Sequence, residues 1–256
     1  MLSTIKKFVP KSIKHEIRSA LLRRKSTRDY ETLYENHARE LAPGSSIGDG
    51  DFDLIGRLEL ALLKEAGMTA TSTLVDFGCG TGRLAVHAVP ALNQGKYVGI
   101  DISPTMLAYC RTAIGAAEAE VVLWHQTDEN FALADASVDY ICAFSVFTHM
   151  EHEDTFRYLR SARRIVREGG AFVASCLPMT LSEARRIFLD EANLDSVARW
   201  GHVRNITTTR EMMEVVATMA GWRVERWYDG DQDNITDPMT GKRHGLGQST
   251  LVLRPA

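Results

Sequence analysis

Val75-Asp76-Phe77-Gly78-Cys79-Gly80-Thr81-Gly82 closes a short apolar run, Thr73–Phe77, and opens a helical one, Gly82–Leu92. Glycines at such a turn remove the β-carbons that would hold a ligand off the backbone. The turn itself belongs where the carboxyl ends of parallel strands leave a crevice. Asp101 ends the next apolar run, Tyr97–Asp101, twenty-one residues after Gly80. A carboxylate there accepts both hydrogen bonds of a ribose diol, so the pair of features predicts a nucleoside ligand. The G-x-G-x-G spacing differs from the G-x-G-x-x-G that admits a pyrophosphate, and Asp76 would repel a pyrophosphate while suiting an ammonium group. The expected ligand is cationic rather than anionic.

Outward from this turn the chain alternates. A helix is expected over Phe52–Ala66, and another over Pro104–Ala117 with Ser103 as N-cap and Pro104 at its first position. Strands follow at Ala119–Trp124 and Val138–Ser145, then a helix over Asp154–Arg167 ending at Gly169-Gly170, and a fifth strand at Ala171–Leu177. Strands alternating with helices predict a doubly wound α/β fold with a mostly parallel sheet. The last third departs from this rhythm: a helical segment over Leu181–Arg199, a helix over Thr209–Ala220, and strands at Trp222–Tyr228 and Ser249–Arg254 joined by a long polar loop, 229–247. Two final strands without a helix between them predict a terminal antiparallel pair at the sheet edge.

The chain has 256 residues, 45% hydrophobic and 25% charged, which is ordinary globular composition and excludes disorder, collagen and coiled coil as the main class. No apolar stretch approaches the length of a membrane span and the first residues lack a secretory h-region, so a cytoplasmic protein is expected. The four cysteines are each more than thirty residues apart, which gives no CxxC pair and no zinc or disulfide framework. Net charge is −3, unevenly spread: residues 1–28 hold nine Lys or Arg against Glu16 alone. A basic arm on an acidic body does not read as a nucleic-acid-binding domain. Ile13, Ile17 and Leu21 give that arm an amphipathic helical pattern. The pattern suits either a solvated helix or peripheral contact with an anionic membrane or an acidic partner. Residues 1–50 are expected to form this helical arm and a lid, with a second helix at Tyr30–Leu41, and 51–256 the main domain with an inserted helical segment at about 178–206.

The runs VDFGCGTGR (Val75–Arg83), VGIDISP (Val98–Pro104), DENFALADASVD (Asp128–Asp139) and TREMMEVVATMAGWRV (Thr209–Val224) resemble the class I S-adenosylmethionine-dependent methyltransferases. The resemblance implies a Rossmann-like methyltransferase domain over 51–256 with S-adenosyl-L-methionine as cofactor. By position it implies that Gly78, Gly80 and Gly82 underlie the methionine and ribose, that Asp101 binds the ribose hydroxyls, and that Asp128 faces the adenine amino group. Asp76, Ile102 and Phe144 complete the implied cofactor contacts. A nicotinamide-dependent oxidoreductase is the alternative enzyme class, and a regulatory protein retaining the fold is the non-catalytic one.

Methyl transfer needs alignment of the acceptor and exclusion of water, with a base only where an oxygen acceptor must lose a proton. The run Phe144-Ser145-Val146-Phe147-Thr148-His149 leaves the fourth strand and, in such a fold, emerges beside the departing methyl. His149 is therefore the candidate catalytic base, and it favours O-methylation of a small-molecule acceptor over N-methylation. His152 is expected on the solvent side, and no metal site is expected from these two histidines, because no second ligand pair accompanies them. Tyr30, Tyr34, Trp200, His202 and the 229–247 loop are the expected acceptor walls. No N/D-P-P-Y/F run occurs, which disfavours amino-methylation of nucleic-acid bases.

Overall fold

A computed structural model describes residues 30–40 and 51–256. The expected basic helix within 1–28 and the loop at 43–50 lie outside them. The elements run α1 (Tyr30–Glu40), α2 (Phe52–Glu65), β1 (Thr73–Phe77), α3 (Ala85–Ala91), β2 (Lys96–Asp101), α4 (Pro104–Ile114), β3 (Glu120–His125), β4 (Val138–Ala143), α5 (His152–Ile165), β5 (Val166–Cys176), α6 (Ser182–Ala192), α7 (Ser196–Trp200), α8 (Arg210–Met219), β6 (Trp222–Tyr228), β7 (Ile235–Thr236), β8 (Arg243–His244) and β9 (Ser249–Pro255).

Seven strands form one sheet in the order β3-β2-β1-β4-β5-β9-β6. The first five are parallel. β9 runs antiparallel to both β5 and β6, so the last two strands of the sheet pair as expected and β9 alone is reversed. The central strands β1, β2 and β4 are buried at nearly every position because both faces are covered, whereas the edge strands β3 and β6 carry exposed polar residues. Leu74, Tyr97, Tyr140, Cys142, Val173 and Val252 pack with α2 and α3 on one face. Their neighbours Val75, Val98, Ile141, Phe172 and Leu253 pack with α5 and α8 on the other. The order of strands reverses at β1, between β2 and β4, and a crevice opens there at the carboxyl ends.

Three local readings are revised. The helix expected to run to Arg167 ends at Ile165, and Gly169-Gly170 lie inside β5 rather than capping a helix. The register against β4 jumps from Val138–Val166 to Tyr140–Ala171, so residues 167–170 loop out as a bulge, which Gly169 permits with φ +81°. The helix expected over Leu181–Arg199 is broken near Asp195, whose carboxylate accepts the N–H groups of Val197 and Ala198 and starts α7 afresh. The 229–247 loop contains the short β7–β8 hairpin, followed from Thr236 by Asp237, which is fully buried and bonded by Arg57 Nε at 2.9 Å. Among the described residues no helix is long and apolar enough to cross a membrane.

Trp222 is the largest fully buried side chain; its indole N–H donates to the Leu159 carbonyl at 2.8 Å and its ring meets Phe172 edge-on. Trp222→Ala is expected to cost about 3–5 kcal/mol in urea unfolding, the range for a deleted aromatic in a packed core.

Candidate functional site at the glycine turn

A cavity of about 510 Å³ lies over the carboxyl ends of β1, β2 and β4, walled on one side by Tyr30, Glu31 and Tyr34 of α1. Helix α1 is clasped to the start of α4 by Glu35. Its carboxylate accepts from Ser103 Oγ and Thr105 Oγ1, both at 2.6 Å. These bonds, the Ser103 one foremost, hold Glu35 down at about 2.

The three glycines of the turn all have positive φ, yet each has a different neighbour. A β-carbon on Gly78 would overlap Val146 Cγ2, and one on Gly82 would press on Cys110 Cα at 3.2 Å. Only at Gly80 does the position open onto space, with nothing nearer than the Gly78 carbonyl at 4.0 Å. Gly78 and Gly80 line the cavity; Gly82 does not, and its lack of a side chain serves the close packing of the turn on α4. Of the three glycines expected beneath the ligand, Gly78 and Gly80 thus face the cavity and Gly82 faces α4.

Asp101, at the end of β2, accepts the Gly80 N–H and the Ser103 N–H, each at 2.9 Å. Burial raises its carboxyl to about 6 against the pull of those bonds. Asp76 lies deeper. Tyr97 donates its hydroxyl to it at 2.6 Å and the Cys142 thiol lies 3.5 Å away, yet burial pushes Asp76 up to about 7. Nearby, Glu59 of α2 and Arg83 form a buried ion pair, with Nη2 to Oε1 at 2.5 Å, and both line the same cavity. Asp76 and Glu59 together oppose one guanidinium, so this end of the cavity is electrostatically matched to one further positive charge. Both raised carboxyls hold protons that they would lose on unfolding, so the ligand-free fold loses stability as pH rises from about 4 to about 7.

Ile102, Asp128 and Phe144 also line the cavity. Asp128 is exposed, its carboxylate turned onto the Asn130 N–H at 2.9 Å, while the adjacent Glu129 is paired with Arg157. His149 ends a single 3-10 turn, Phe147–His149, and lines the cavity beside Tyr34, whose ring meets it edge-on at 5.9 Å. Its Nδ1 faces the Arg204 carbonyl at 2.9 Å, which makes Nδ1 the protonated nitrogen and leaves Nε2 with the lone pair. Loss of hydration lowers its pKa, so the neutral imidazole persists below the ordinary range.

His152 is half-buried rather than on the solvent side, with Nε2 on Thr208 Oγ1 at 2.9 Å, and the two histidines therefore serve different partners. Trp200 and His202 do not line the cavity, nor does the 229–247 loop. The Trp200 ring lies under the Arg204 guanidinium and His202 bonds Glu191. Glu59 and Arg83 are the site residues the sequence reading passed over. Their signal is an acid within the apolar face Leu58-Glu59-Leu60 of an amphipathic helix.

A parallel sheet with a glycine turn, a buried acid at each of two strand ends and a cavity over them is an arrangement suited to a nucleoside. The family model described as "Methyltransferase domain" matches residues 74–170. The malonyl-[acyl-carrier protein] O-methyltransferase of Hahella chejuensis is 26% identical over 147 residues, 54% of this chain and 50% of that protein. The ribosomal protein L11 methyltransferase of Aliivibrio salmonicida is 35% identical over 106 residues, 40% of this chain and 35% of that protein. The structure of magnesium protoporphyrin IX methyltransferase from Synechocystis PCC 6803 with bound S-adenosylmethionine superposes with a TM-score of 0.60 at 12% identity, covering 90% of this chain and 99% of that one. The chain spans half or less of the length of these curated relatives. Residues 74–170 thus carry a methyltransferase domain, and the fold around them is that of solved S-adenosylmethionine-dependent methyltransferases.

The residues present fit that cofactor: Gly80 leaves an open cradle, Asp76 and Glu59 set two carboxyl groups against the one guanidinium of Arg83, and Asp101 is anchored with oxygen lone pairs to spare. Gly80→Val is expected to abolish binding of S-adenosylhomocysteine in calorimetry while the protein stays folded. Asp101→Ala should weaken it roughly ten- to a hundredfold, as befits charge-assisted bonds of about 1.5–3 kcal/mol. Normal affinity in a folded Gly80→Val protein would remove the turn from the site.

Proposed function

We propose that the protein methylates a hydroxyl of a small-molecule acceptor, with His149 as the general base. The observation that carries this reading is the His149 ring: neutral, its Nδ1–H committed to a backbone carbonyl, and its Nε2 left as the basic nitrogen at the cavity wall. When bound, S-adenosylmethionine supplies an electrophilic methyl on a sulfonium. Asp76 would hold its ammonium end, the Gly78–Gly80 backbone would lie beneath it, Asp101 would accept the ribose diol, and Asp128 would face the adenine amino group. His149 Nε2 would take the hydroxyl proton as the acceptor oxygen displaces the sulfonium's leaving group and gains its methyl.

The relatives act on an acyl-carrier-protein-linked malonyl group and on a ribosomal protein, and the structural neighbour on a porphyrin, so they do not select one acceptor class. The preference for a small molecule rests on the wall that Tyr30, Glu31 and Tyr34 of α1 add to the cavity. The tyrosines of α1 and Met150 surround the region beside His149 and suit an acceptor with an apolar body. The basic run 1–28 suits peripheral contact with an anionic surface or acidic partner, in a protein of the cytoplasm.

A screen of hydroxyl and amine acceptors with methyl-labelled donor tests the reading. His149→Ala is expected to lower kcat by roughly 10²–10⁴ while leaving S-adenosylhomocysteine affinity within a few-fold. Because burial lowers the imidazole pKa, the wild-type rate should rise with pH along a limb placed below about 6.5, and the variant should lack that limb. A variant that keeps both rate and limb contradicts the base.

A further inference from the structure

His149 does not choose its own orientation. The 3-10 turn that carries it is held by a strip of irregular chain, residues 202–206, through two bonds: His149 Nδ1 to the Arg204 carbonyl at 2.9 Å, and the Ile206 N–H to the Thr148 carbonyl at 2.5 Å. The strip belongs to the inserted segment and has no regular ladder of its own, so something outside it must fix where the Arg204 carbonyl points.

Glu191, in the last turn of α6, is placed to do so. Its side chain is 12% exposed, and Oε1 takes both the His202 Nε2 at 3.1 Å and the Asn205 N–H at 3.3 Å. Oε2 lies 3.9 Å from Arg204 Nε. One carboxylate thus gathers a ring, a guanidinium and a backbone N–H from residues on both sides of the carbonyl that receives the His149 proton. The Arg204 guanidinium is set further by the Trp200 ring, 4.4 Å from its carbon, and by Glu151, 3.8 Å away and two residues beyond His149. A neutral imidazole carries a single proton, and the bond made by one nitrogen decides which nitrogen is basic.

Building on the proposed role of His149, we infer that Glu191 is a positioning residue: by clasping residues 202–205 it holds the Arg204 carbonyl against Nδ1 and thereby fixes Nε2 as the basic nitrogen. The inserted segment then contributes to the reaction without touching the acceptor or the cofactor.

Two-bond proton–nitrogen NMR of the full chain labelled with ¹⁵N-histidine, near pH 8, reads the tautomer directly, with His149→Ala supplying the assignment. In the wild type His149 should carry its proton on Nδ1. In Glu191→Ala the signal should move to the Nε2–H form that free imidazole side chains favour, with S-adenosylhomocysteine affinity changed less than twofold. Glu191→Gln, which keeps an acceptor oxygen for Asn205, should restore the Nδ1–H form, whereas a purely structural effect would not be rescued in this signal. Glu191→Asp, a milder change, should give a mixture and serves where the alanine variant does not fold. The wild-type tautomer in a folded Glu191→Ala or Glu191→Asp protein overturns the inference. Full methyl transfer by His149→Ala would instead overturn the base itself, whatever the tautomer shows.

Discussion

The bond from the Gly80 N–H to the Asp101 carboxylate, 2.9 Å long, ties the turn after β1 to the end of β2, and the rest of the site is arranged around it. Both groups come from strand ends at the reversal point of a parallel sheet, where the backbone has run out of ladder partners. Asp101 supplies the missing acceptor for the turn and also receives the Ser103 N–H at the start of α4. Ser103 in turn caps α4 through Met106 and donates its hydroxyl to Glu35 of α1. Turn, second strand, fourth helix and the covering helix α1 thus share one chain of hydrogen bonds that links the cavity floor to its cover.

The same burial that orders these groups makes them costly as charges. Burial holds Asp76 and Asp101 well above ordinary carboxylates, against the hydrogen bonds they accept, and raises Glu59 too, against its pairing with Arg83. A positive charge near these carboxyl groups would favour their ionised forms. His149 lies at the opposite pole of this logic: burial keeps it neutral, which is the state a base requires.

The sheet was legible because its central strands are short, largely apolar runs separated by glycine, proline or a capping residue. That Gly80, Asp76 and Asp101 share one crevice was legible because they are fixed by position along two consecutive strands. What escaped the sequence is what depends on distant pairing. The bulge at 167–170 exists because β4 and β5 lose register, which no local pattern reveals. Gly82 looks like its neighbours in the run but is occupied by Cys110 from α4. Trp200 and His202 carry aromatic chemistry suited to a pocket, yet their partners are Arg204 and Glu191 within the same inserted segment.

Calorimetric titration of the protein with S-adenosylhomocysteine near pH 6.5, repeated in buffers of different ionisation enthalpy, tests the central claim most directly. A ligand ammonium beside Asp76 and a ribose diol on Asp101 must favour the ionised carboxylates, whose cofactor-free values are about 7 and about 6. One-site binding that releases protons at pH 6.5 and none at pH 8.5 is the expected result. Absence of binding, or binding that moves no protons at pH 6.5, would contradict the account.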